Sequence, residues 1–214
     1  MSDRLRIAIT KGRLLDKSVQ LFEKAGLDCG PIKDPGRRLI HSVPNYPLDA
    51  VLAKAPDVIT YVEHGVCDLG IVGKDTILEK GGSFYEVLDL GFGKCKFALA
   101  VREGSDFYGT YKTRRIATKY PEVARKFFAD KGMDVSIIKI EGSVELAPIL
   151  DLADAIVDIV ETGATLKENG LVPIEDVAPV SARLIVNTAA MKLRKSEILD
   201  CIEKCQQGMK EAAL

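Results

Sequence analysis

The segment Asp158–Leu166 (DIVETGATL) places an acid, two threonines and a glycine within and directly after an apolar run of strand type. Thr and Gly are common in turns and Thr also caps helices, so this segment could be a purely structural joint. Backbone N–H groups at a helix start, joined by hydroxyl groups and a glycine that lets a ligand approach, also suit a phosphate. The segment by itself leaves both interpretations open.

Acidic residues accompany this segment. Glu141 stands at the preceding strand-to-helix joint, and Asp158 and Glu161 come before the threonines. Carboxylates do not suit a phosphate, but they accept hydrogen bonds from a ribose diol and are hard oxygen ligands for Mg²⁺. An acid followed by T-G-A-T therefore indicates a sugar that carries a phosphate. The alternative is that Asp158, between Val157 and Ile159, faces solvent on an alternating strand.

A second set of candidate residues is cationic and lies in the first half of the chain. Lys11-Gly12-Arg13 separates a predicted strand from a predicted helix, at the place where the open end of a parallel sheet usually binds ligands. Lys and Arg there add charge to the positive end of the helix. Arg37-Arg38, Lys54 and Gly73-Lys74-Asp75 also stand at strand ends or in loops. The sequence therefore predicts a ring of cationic groups in one lobe.

Apolar periodicity predicts strands that alternate with helices on both sides of a long apolar strand, Lys96–Arg102. This alternation indicates a parallel α/β architecture. Two such units joined by two long strands predict two lobes, residues 1–92 with 180–214 and residues 93–179, with a ligand cleft between them. The further predicted strands are Leu5–Thr10, Leu39–Val43, Leu48–Leu52, Leu69–Val72, Phe84–Leu90, Arg115–Thr118, Val135–Ile140, Ala155–Val160 and Val180–Asn187. The predicted helices include Pro56–His64, Pro121–Lys131, Ser143–Leu152, Thr162–Asn169 and Ser196–Ala213.

Charge and missing signatures disfavour several classes of protein. Thirty Lys and Arg against 31 Asp and Glu give a formal net charge of −1, so no global basic field recruits nucleic acid or an anionic membrane. The chain shows no apolar signal segment and no apolar run long enough for a bilayer, which predicts a cytoplasmic protein. The glycine fingerprints of nicotinamide-binding and P-loop proteins are absent, which disfavours a nucleotide-dependent oxidoreductase.

The cysteines and histidines offer little chemistry. Five cysteines without a C-x-x-C pair argue against a disulfide framework or a structural zinc site, and we expect reduced thiols. Cys201 and Cys205 share one face of a predicted helix and are interpreted as packing residues. His41 and His64 are expected in a loop or on a helix surface.

Five sequence blocks resemble the ATP phosphoribosyltransferase family over nearly the whole chain. They are AITKGRLLD (Ala8–Asp16), RRLI (Arg37–Ile40), YVEHGVCDLGIVGKD (Tyr61–Asp75), EGSVELAP (Glu141–Pro148) and LADAIVDIVETGATL (Leu152–Leu166). The resemblance implies a two-lobed fold like that of the type II periplasmic binding proteins. The chain departs from the family in two places, because the family often carries Arg where Lys54 stands and Pro where Ile59 stands. Lys cannot reproduce a bidentate Arg contact, so the first departure alters one cationic contact.

The resemblance also implies a reaction, the first step of histidine biosynthesis. N1 of the adenine of ATP displaces pyrophosphate from C1′ of 5-phosphoribosyl 1-diphosphate with inversion, and Mg²⁺, held mainly by substrate, accompanies the diphosphate. A ring nitrogen with a lone pair needs no strong general base, so positioning and charge neutralisation are the expected contributions of the enzyme. The alternative function is a non-catalytic two-lobed protein that binds a small anion.

By the same resemblance, the first lobe binds ATP and pyrophosphate and the second lobe binds the phosphoribosyl donor. The residues expected at ATP are Lys11, Gly12, Arg13, Gly73, Lys74 and Asp75, and the expected catalytic cations are Lys11, Arg13, Arg37, Arg38 and Lys54. The residues expected at the phosphoribosyl donor are Glu141, Asp158, Glu161, Thr162, Gly163, Ala164 and Thr165.

The length of 214 residues resembles the short form of the family, which lacks a C-terminal regulatory domain. The resemblance implies a separate regulatory subunit, similar to histidyl-tRNA synthetase, that carries the response to histidine. It also implies self-association to at least a dimer.

Overall fold

The structure is a computed structural model that describes residues 4–109 and 112–212. The chain divides into two compact units. Unit 1 contains the residues up to Gly93 and those from Ser181 onward, and unit 2 consists of Lys94–Val180. The chain therefore passes from one unit to the other twice.

The described residues form the following strands and helices. The strands are β1 (Leu5–Thr10), β2 (Ile40–Ser42), β3 (Leu48–Ala53), β4 (Leu69–Gly73), β5 (Phe84–Asp89), β6 (Cys95–Arg102), β7 (Arg114–Thr118), β8 (Val135–Lys139), β9 (Ala155–Val160), β10 (Leu171–Val180) and β11 (Ala182–Asn187). The helices are α1 (Arg13–Lys24), α2 (Gly30–Lys33), α3 (Ala55–Glu63), α4 (Lys74–Lys80), α5 (Pro121–Asp130), α6 (Leu146–Ile149), α7 (Ala164–Glu168), α8 (Ala190–Leu193) and α9 (Lys195–Ala212). Within this described part of the chain, no helix combines the length and apolar character needed to cross a bilayer.

Unit 1 is built on a mixed six-stranded sheet in the order β2-β3-β1-β4-β11-β5. The three strands β3, β1 and β4 are parallel, with Thr10 opposite Ala53 and Ile9 opposite Ile71. Strands β2 and β11 run antiparallel to their neighbours β3 and β4. The carboxyl ends of β1, β3 and β4 therefore meet at one edge of the sheet, which we call the carboxyl edge of unit 1.

Alternation along β1 builds the core of unit 1. Leu5, Ile7 and Ile9 are buried against α1 and α9, where Cys201 and Cys205 also pack, which confirms the interpretation of these two thiols as packing residues. Burial of a large apolar side chain contributes roughly 1.5–3 kcal/mol. Helix α9 approaches α1 closely at Gly208, where a Cβ would lie 2.2 Å from a backbone oxygen of α1.

Unit 2 has a five-stranded sheet in the order β10-β6-β9-β7-β8. Strand β7 is parallel to both β8 and β9, while β6 is antiparallel to β9 and β10. The carboxyl ends of β7, β8 and β9 therefore share one edge, the carboxyl edge of unit 2. Ala117, Ile156 and Leu166 lie in the core beneath this edge.

Several elements differ from the sequence predictions. Both sheets are mixed, because each parallel core carries antiparallel strands at its sides. The predicted helix Ser143–Leu152 is only the four-residue α6, since Pro148 lacks an N–H group and Asp151 adopts a positive φ of 58°. The predicted strand Val180–Asn187 begins at Ala182 instead, and the preceding β10 was not predicted.

The irregular pattern of β10 explains why sequence analysis missed it. Two prolines, Pro173 and Pro179, interrupt its apolar pattern, and its pairing with β6 contains two register shifts.

Helix α4 was also not predicted. The predicted end of the last helix, Ala213, lies outside the described residues. His41 also differs from the prediction, because it is buried on β2, whereas His64 is exposed as expected.

Candidate active site

Lys11 and Lys54 are neighbours at the carboxyl edge of unit 1. The backbone N–H of Lys11 donates a 2.9 Å hydrogen bond to the carbonyl oxygen of Ala53, the residue before Lys54. The hydroxyl of Thr10 donates a 3.0 Å hydrogen bond to the carbonyl oxygen of Ile71 on the other side of β1. These bonds hold the ends of three strands together beneath the two lysines.

Gly12 is the N-cap of α1 and has φ 87° and ψ −147°, a backbone conformation that favours glycine. It supplies no side-chain capping bond, and a Cβ at this position would meet nothing within 4 Å. The positive end of a twelve-residue helix is therefore approachable. Arg13, the first residue of α1, is exposed beside it.

Arg37 and Arg38 also lie at the carboxyl edge of unit 1, but they precede a strand, whereas Lys11 and Lys54 follow strands. They lie in the loop before β2, and β2 is antiparallel to β3 with Ile40 opposite Val51. The loop before β2 is therefore close to the end of β3, and so to Lys54. Among residues 4–109 and 112–212, no ion pair engages Lys11, Arg37, Arg38 or Lys54.

Lys74 differs from these four cations because its side chain forms an ion pair. Its Nζ lies 2.5 Å from Oε2 of Glu86 on β5, and its backbone N–H donates to the carbonyl oxygen of Ser181 at 2.9 Å. Glu86 also binds Arg183, at 3.1 Å. The Lys74 side chain is therefore directed toward β5, on the opposite side of β4 from β1.

Gly73 and Asp75 complete this loop. A Cβ at Gly73 would lie 2.0 Å from Oδ1 of Asp75, so the carboxylate of Asp75 folds back over the end of β4. A side chain at Gly73 would displace it. The structure thus brings Gly73 and Asp75 to the carboxyl edge of unit 1 while the amine of Lys74 is held by Glu86.

The carboxyl edge of unit 2 gathers the predicted acidic residues. Glu141 follows β8, Asp158 lies in the second half of β9, and Glu161 directly follows β9. Between them, the end of β7 is fixed by Thr118, whose hydroxyl donates to the carbonyl oxygen of Val157 at 2.6 Å. The predicted acids therefore share one edge although the strands that carry them are apart in sequence.

Asp158 and Glu141 differ in their electrostatic environment. Burial raises the pKa of the half-buried Asp158, and the charge of Glu145 raises it further against an opposing hydrogen bond from the Ile159 N–H. A half-buried carboxyl group does not fit the alternative in which Asp158 simply faces solvent. The pKa of the exposed Glu141 is lowered instead, first by the 2.7 Å hydrogen bond that its carboxylate accepts from Lys139 and then by nearby positive charge.

Lys119 is a residue of this edge that sequence analysis missed. It directly follows β7, between the ends of β8 and β9, and its charge lowers the pKa of both Glu141 and Asp158. It is exposed. The criterion applied to Lys54, a cation that follows a predicted strand, would also have selected Lys119.

The T-G-A-T segment is a loop that enters the short helix α7. Gly163 is the N-cap and has a left-handed φ of 78°, which favours glycine. The N–H of Ala164 is 3.4 Å from the hydroxyl oxygen of Thr162, and the N-cap makes no side-chain capping bond. Thr162, Ala164 and Thr165 are exposed, so hydroxyl and amide groups are open to a ligand at this edge.

Two α/β units of this kind define the periplasmic-binding-protein type of fold. The periplasmic aliphatic sulphonate binding protein SsuA of Escherichia coli matches with a TM-score of 0.60 and 16% identity over 98% of this chain and 69% of that one. This likeness supports the predicted fold class.

The chain belongs to the ATP phosphoribosyltransferase family, whose model matches residues 54–207. An ATP phosphoribosyltransferase of Clostridium kluyveri is 60% identical over 208 residues, which cover 97% of this chain and 95% of the relative. The ATP phosphoribosyl transferase (HisG:HisZ) complex from Thermotoga maritima contains a chain with a TM-score of 0.82 and 32% identity, over 96% of this chain and 98% of that one.

The membership confirms the function predicted from the five sequence blocks. The chain is a pentosyltransferase that condenses ATP with 5-phosphoribosyl 1-diphosphate to give N1-(5-phosphoribosyl)-ATP and pyrophosphate, the first step of histidine biosynthesis. The alternative of a non-catalytic anion-binding protein is not favoured.

Proposed function

We propose that unit 1 neutralises the polyphosphate groups of this reaction and that unit 2 holds the phosphoribosyl donor. The observation that carries this assignment is the contrast between the two carboxyl edges. Unit 1 gathers exposed cations at the ends of β1 and β3, whereas unit 2 gathers carboxylates and threonine hydroxyls at the ends of β8 and β9. Polyphosphate requires the first set, and a ribose that carries a phosphate requires the second.

In unit 1, the proposed work is charge neutralisation. When the bond from C1′ to the diphosphate oxygen breaks, negative charge accumulates on the departing pyrophosphate. Positioned cations lower the energy of that state more than that of the ground state, which accelerates the reaction. We assign this role to Lys11, Arg13, Lys54 and one or both of the pair Arg37 and Arg38.

We assign Gly12 and the Gly73-Lys74-Asp75 loop to ATP. Gly12 lets a triphosphate approach the positive end of α1. For the amine of Lys74 to contact ATP, it must exchange Glu86 for a substrate oxygen. Lys74 therefore contributes less readily to the binding of ATP than Lys11 does.

In unit 2, Thr162, Gly163, Ala164 and Thr165 are proposed to hold the 5′-phosphate through hydroxyl and amide donors. Asp158, with Glu141 and Glu161 near it, accepts hydrogen bonds from the ribose diol and stabilises the positive charge that develops on the sugar. Lys119 balances the negative charge of these acids. N1 of adenine then attacks C1′ from the face opposite the diphosphate, and no residue of the chain has to remove a proton first.

We propose that Mg²⁺ enters as part of the substrate, bound to its diphosphate oxygens. Among residues 4–109 and 112–212, no group of three or more His, Cys, Asp or Glu side chains is placed to hold a metal ion. The residues therefore do not form a protein cage for Mg²⁺, and the steps above depend only on side chains and amides of the chain.

We further propose a cytoplasmic hetero-oligomer. The similar Thermotoga maritima chain was solved in a HisG:HisZ complex, which supports a histidyl-tRNA-synthetase-like regulatory subunit as the partner of this chain. Self-association to at least a dimer is part of the same proposal. A dilute-solution monomer with full activity would contradict the dimer.

Release of pyrophosphate tests the catalytic assignment. Purified protein with Mg²⁺ is expected to release pyrophosphate only when ATP and 5-phosphoribosyl 1-diphosphate are both present. A variant that replaces both Lys11 and Lys54 by Met should lose most of this release, whereas Lys24→Met, at the far end of α1, should retain it. Release from the phosphoribosyl donor alone would instead indicate hydrolysis.

A further inference from the structure

Arg6 is a charged residue in the middle of the sheet of unit 1 that no part of the proposed mechanism uses. Strand β1 lies between β3 and β4, and the neighbours of Arg6 along the strand, Leu5 and Ile7, are buried. The Nε of Arg6 is buried and finds no hydrogen-bond acceptor within the described part of the chain, and no ion pair engages its guanidinium there. A buried donor without an acceptor costs free energy, so this arginine indicates a missing acceptor.

The nearby arginines are already engaged. Arg4 donates from Nε to Asp49 at 2.8 Å and from Nη2 to three backbone carbonyl oxygens, one of them that of Val43 at 2.7 Å. Arg194 binds Asp68 at 3.3 Å and also pairs with Glu197. Asp49 stands opposite Arg6 in the sheet register, and Asp68 accepts a 2.8 Å hydrogen bond from the backbone N–H of Arg6. The carboxylates of both residues form ion pairs with the other arginines, Arg4 and Arg194.

Arg6 lines a cavity of about 730 Å³. The cavity is also lined by Arg4 and by Arg194 with its two ion-pair partners, Asp68 and Glu197. Its rim carries two apolar side chains, Val66 and Leu193, which are 54% and 76% exposed. An arginine beside exposed apolar side chains is typical of the residues that dominate the energy of protein interfaces. Two exposed apolar side chains beside the arginine form the kind of surface that a partner protein covers.

The position of the cavity indicates what kind of partner it serves. Its residues lie at the amino ends of β1 and β4 and after the end of β11, which is the edge opposite Lys11 and Lys54. Six residues of strand separate the two edges by about 20 Å. A protein bound at the cavity would leave the carboxyl edge of unit 1 open to substrates.

We propose that this cavity docks an acidic side chain of the regulatory subunit, whose carboxylate binds Arg6 between Val66 and Leu193. The inference rests on the partner proposed above. The positive charge of Arg6 selects a carboxylate, and the apolar rim excludes water around the ion pair, which strengthens it. The partner therefore presents Asp or Glu flanked by apolar residues.

Binding of the purified regulatory subunit to variants of the full chain tests this proposal. Leu193→Asp places a negative charge at the rim, and we expect the Kd of the complex to rise at least about tenfold because like charges then meet. Its matched control is Leu150→Asp, since Leu150 is 71% exposed but lies in unit 2. The control should bind within about twofold of the wild-type Kd, and both variants should keep the basal activity of the isolated chain.

Arg6→Met separates docking from a structural role. It keeps an unbranched apolar stem and removes the unpaired donor, so we expect about a tenfold rise in Kd and a weaker dependence of the remaining binding on salt. The thermal midpoint of the isolated chain should stay the same or rise, whereas a structural role would lower it. If this variant does not fold, the comparison of Leu193→Asp with Leu150→Asp decides.

The outcomes distinguish the inference from the proposed function. No binding of the subunit to the wild-type chain would remove the partner and overturn both proposals. Tight wild-type binding that neither Leu193→Asp nor Arg6→Met weakens would overturn the docking site alone. In that second case, titration of the isolated chain with glutarate or inorganic phosphate follows, and binding that Arg6→Met abolishes would make the cavity a small-anion site.

Discussion

Lys11 and Ala53 are joined by a 2.9 Å hydrogen bond from the backbone N–H of Lys11 to the carbonyl oxygen of Ala53. The bond extends the pairing of β1 with β3 one residue beyond Thr10 and sets Lys11 beside Lys54. Because backbone atoms alone make this link, the two lysine side chains can be replaced without loss of the strand pairing. Changes in activity then report on charge rather than on folding.

Lys54 tests the role of charge at the carboxyl edge of unit 1. Lys54→Met is expected to lower kcat/KM about tenfold or more, because a charge-assisted contact to a phosphate oxygen is lost. Lys54→Arg should retain activity, since Arg keeps the positive charge and can form a bidentate contact to a phosphate. Lys24→Met is the control, and steady-state kinetics with both substrates is the measurement. Full activity of Lys54→Met would remove this residue from the site.

Thr162 and Thr165 test the phosphate loop of unit 2. Replacing either by Val removes a hydroxyl donor at nearly constant volume, so the KM for the phosphoribosyl donor should rise about tenfold per residue. The KM for ATP should stay nearly constant. Thr113→Val serves as the control, because Thr113 precedes β7 at the opposite edge of the same sheet. Equal effects on the two KM values would reject the assignment.

Asp158 links stability to pH. Burial raises its pKa in the folded chain above the value of about 3.9 for an unfolded Asp, so its stabilising contribution exists only at low pH and is lost as the pH rises through the folded pKa. Asp158→Asn should therefore raise the thermal midpoint at pH 7, and the gain should shrink as the pH falls toward 4. The same variant should raise the KM for the phosphoribosyl donor. Thermal melts across this pH range measure the first effect.

Asp154 provides a control for this experiment, because its pKa is shifted in the opposite direction and the expected change in stability is therefore also opposite. Burial acts to raise its pKa, but the Arg115 N–H and the charges of Lys112 and Arg115 together lower it below the ordinary value. Its ionised form is therefore favoured in the folded chain, and Asp154→Asn should lower the thermal midpoint at pH 7. A loss of stability in both variants at pH 7 would contradict the environment assigned to Asp158.

Lys119 tests the effect of one positive charge on two acids of unit 2, Glu141 and Asp158. Lys119→Met removes a positive charge that lowers the pKa of Glu141 and of Asp158, so both values should rise. The KM for the phosphoribosyl donor should also rise, because its negative charges lose a nearby cation. Carboxyl NMR titration and kinetics are the measurements. The control is Lys126→Met, on the exposed face of α5, which should leave both pKa values unchanged. An equal shift of the two pKa values in that variant would show that the effect is not specific to Lys119.

The response to histidine tests the proposed regulatory subunit. We expect histidine to leave the isolated chain active and to inhibit it when the subunit is present, because a partner that favours one conformation changes the rate by population shift. Initial rates with and without each component measure this. Strong inhibition of the isolated chain would place the regulatory site within these 214 residues and contradict the proposal.

Local sequence pattern was sufficient where a strand is mostly apolar. The bounds of β1 and β9 agree with the predicted Leu5–Thr10 and Ala155–Val160, because short runs with a single charged residue among apolar ones, bounded by turn residues, favour a buried strand. The same pattern failed for β10, whose prolines and acidic residues are tolerated at the side of a sheet with bulges. Strand β10 forms by pairing with β6, which is distant in sequence, and no local window of residues contains both strands.

The sequence by itself determined the family, the reaction and the strand ends at which the candidate residues stand, because these depend on the order of residues along the chain. Only the tertiary structure decided which side chains meet. Lys74 pairs with Glu86, Lys119 stands among the acids of unit 2, and the buried Nε of Arg6 has no acceptor among the described residues. Each of these facts depends on strand order and register, which bring together residues far apart in sequence and set the burial and charge around every side chain.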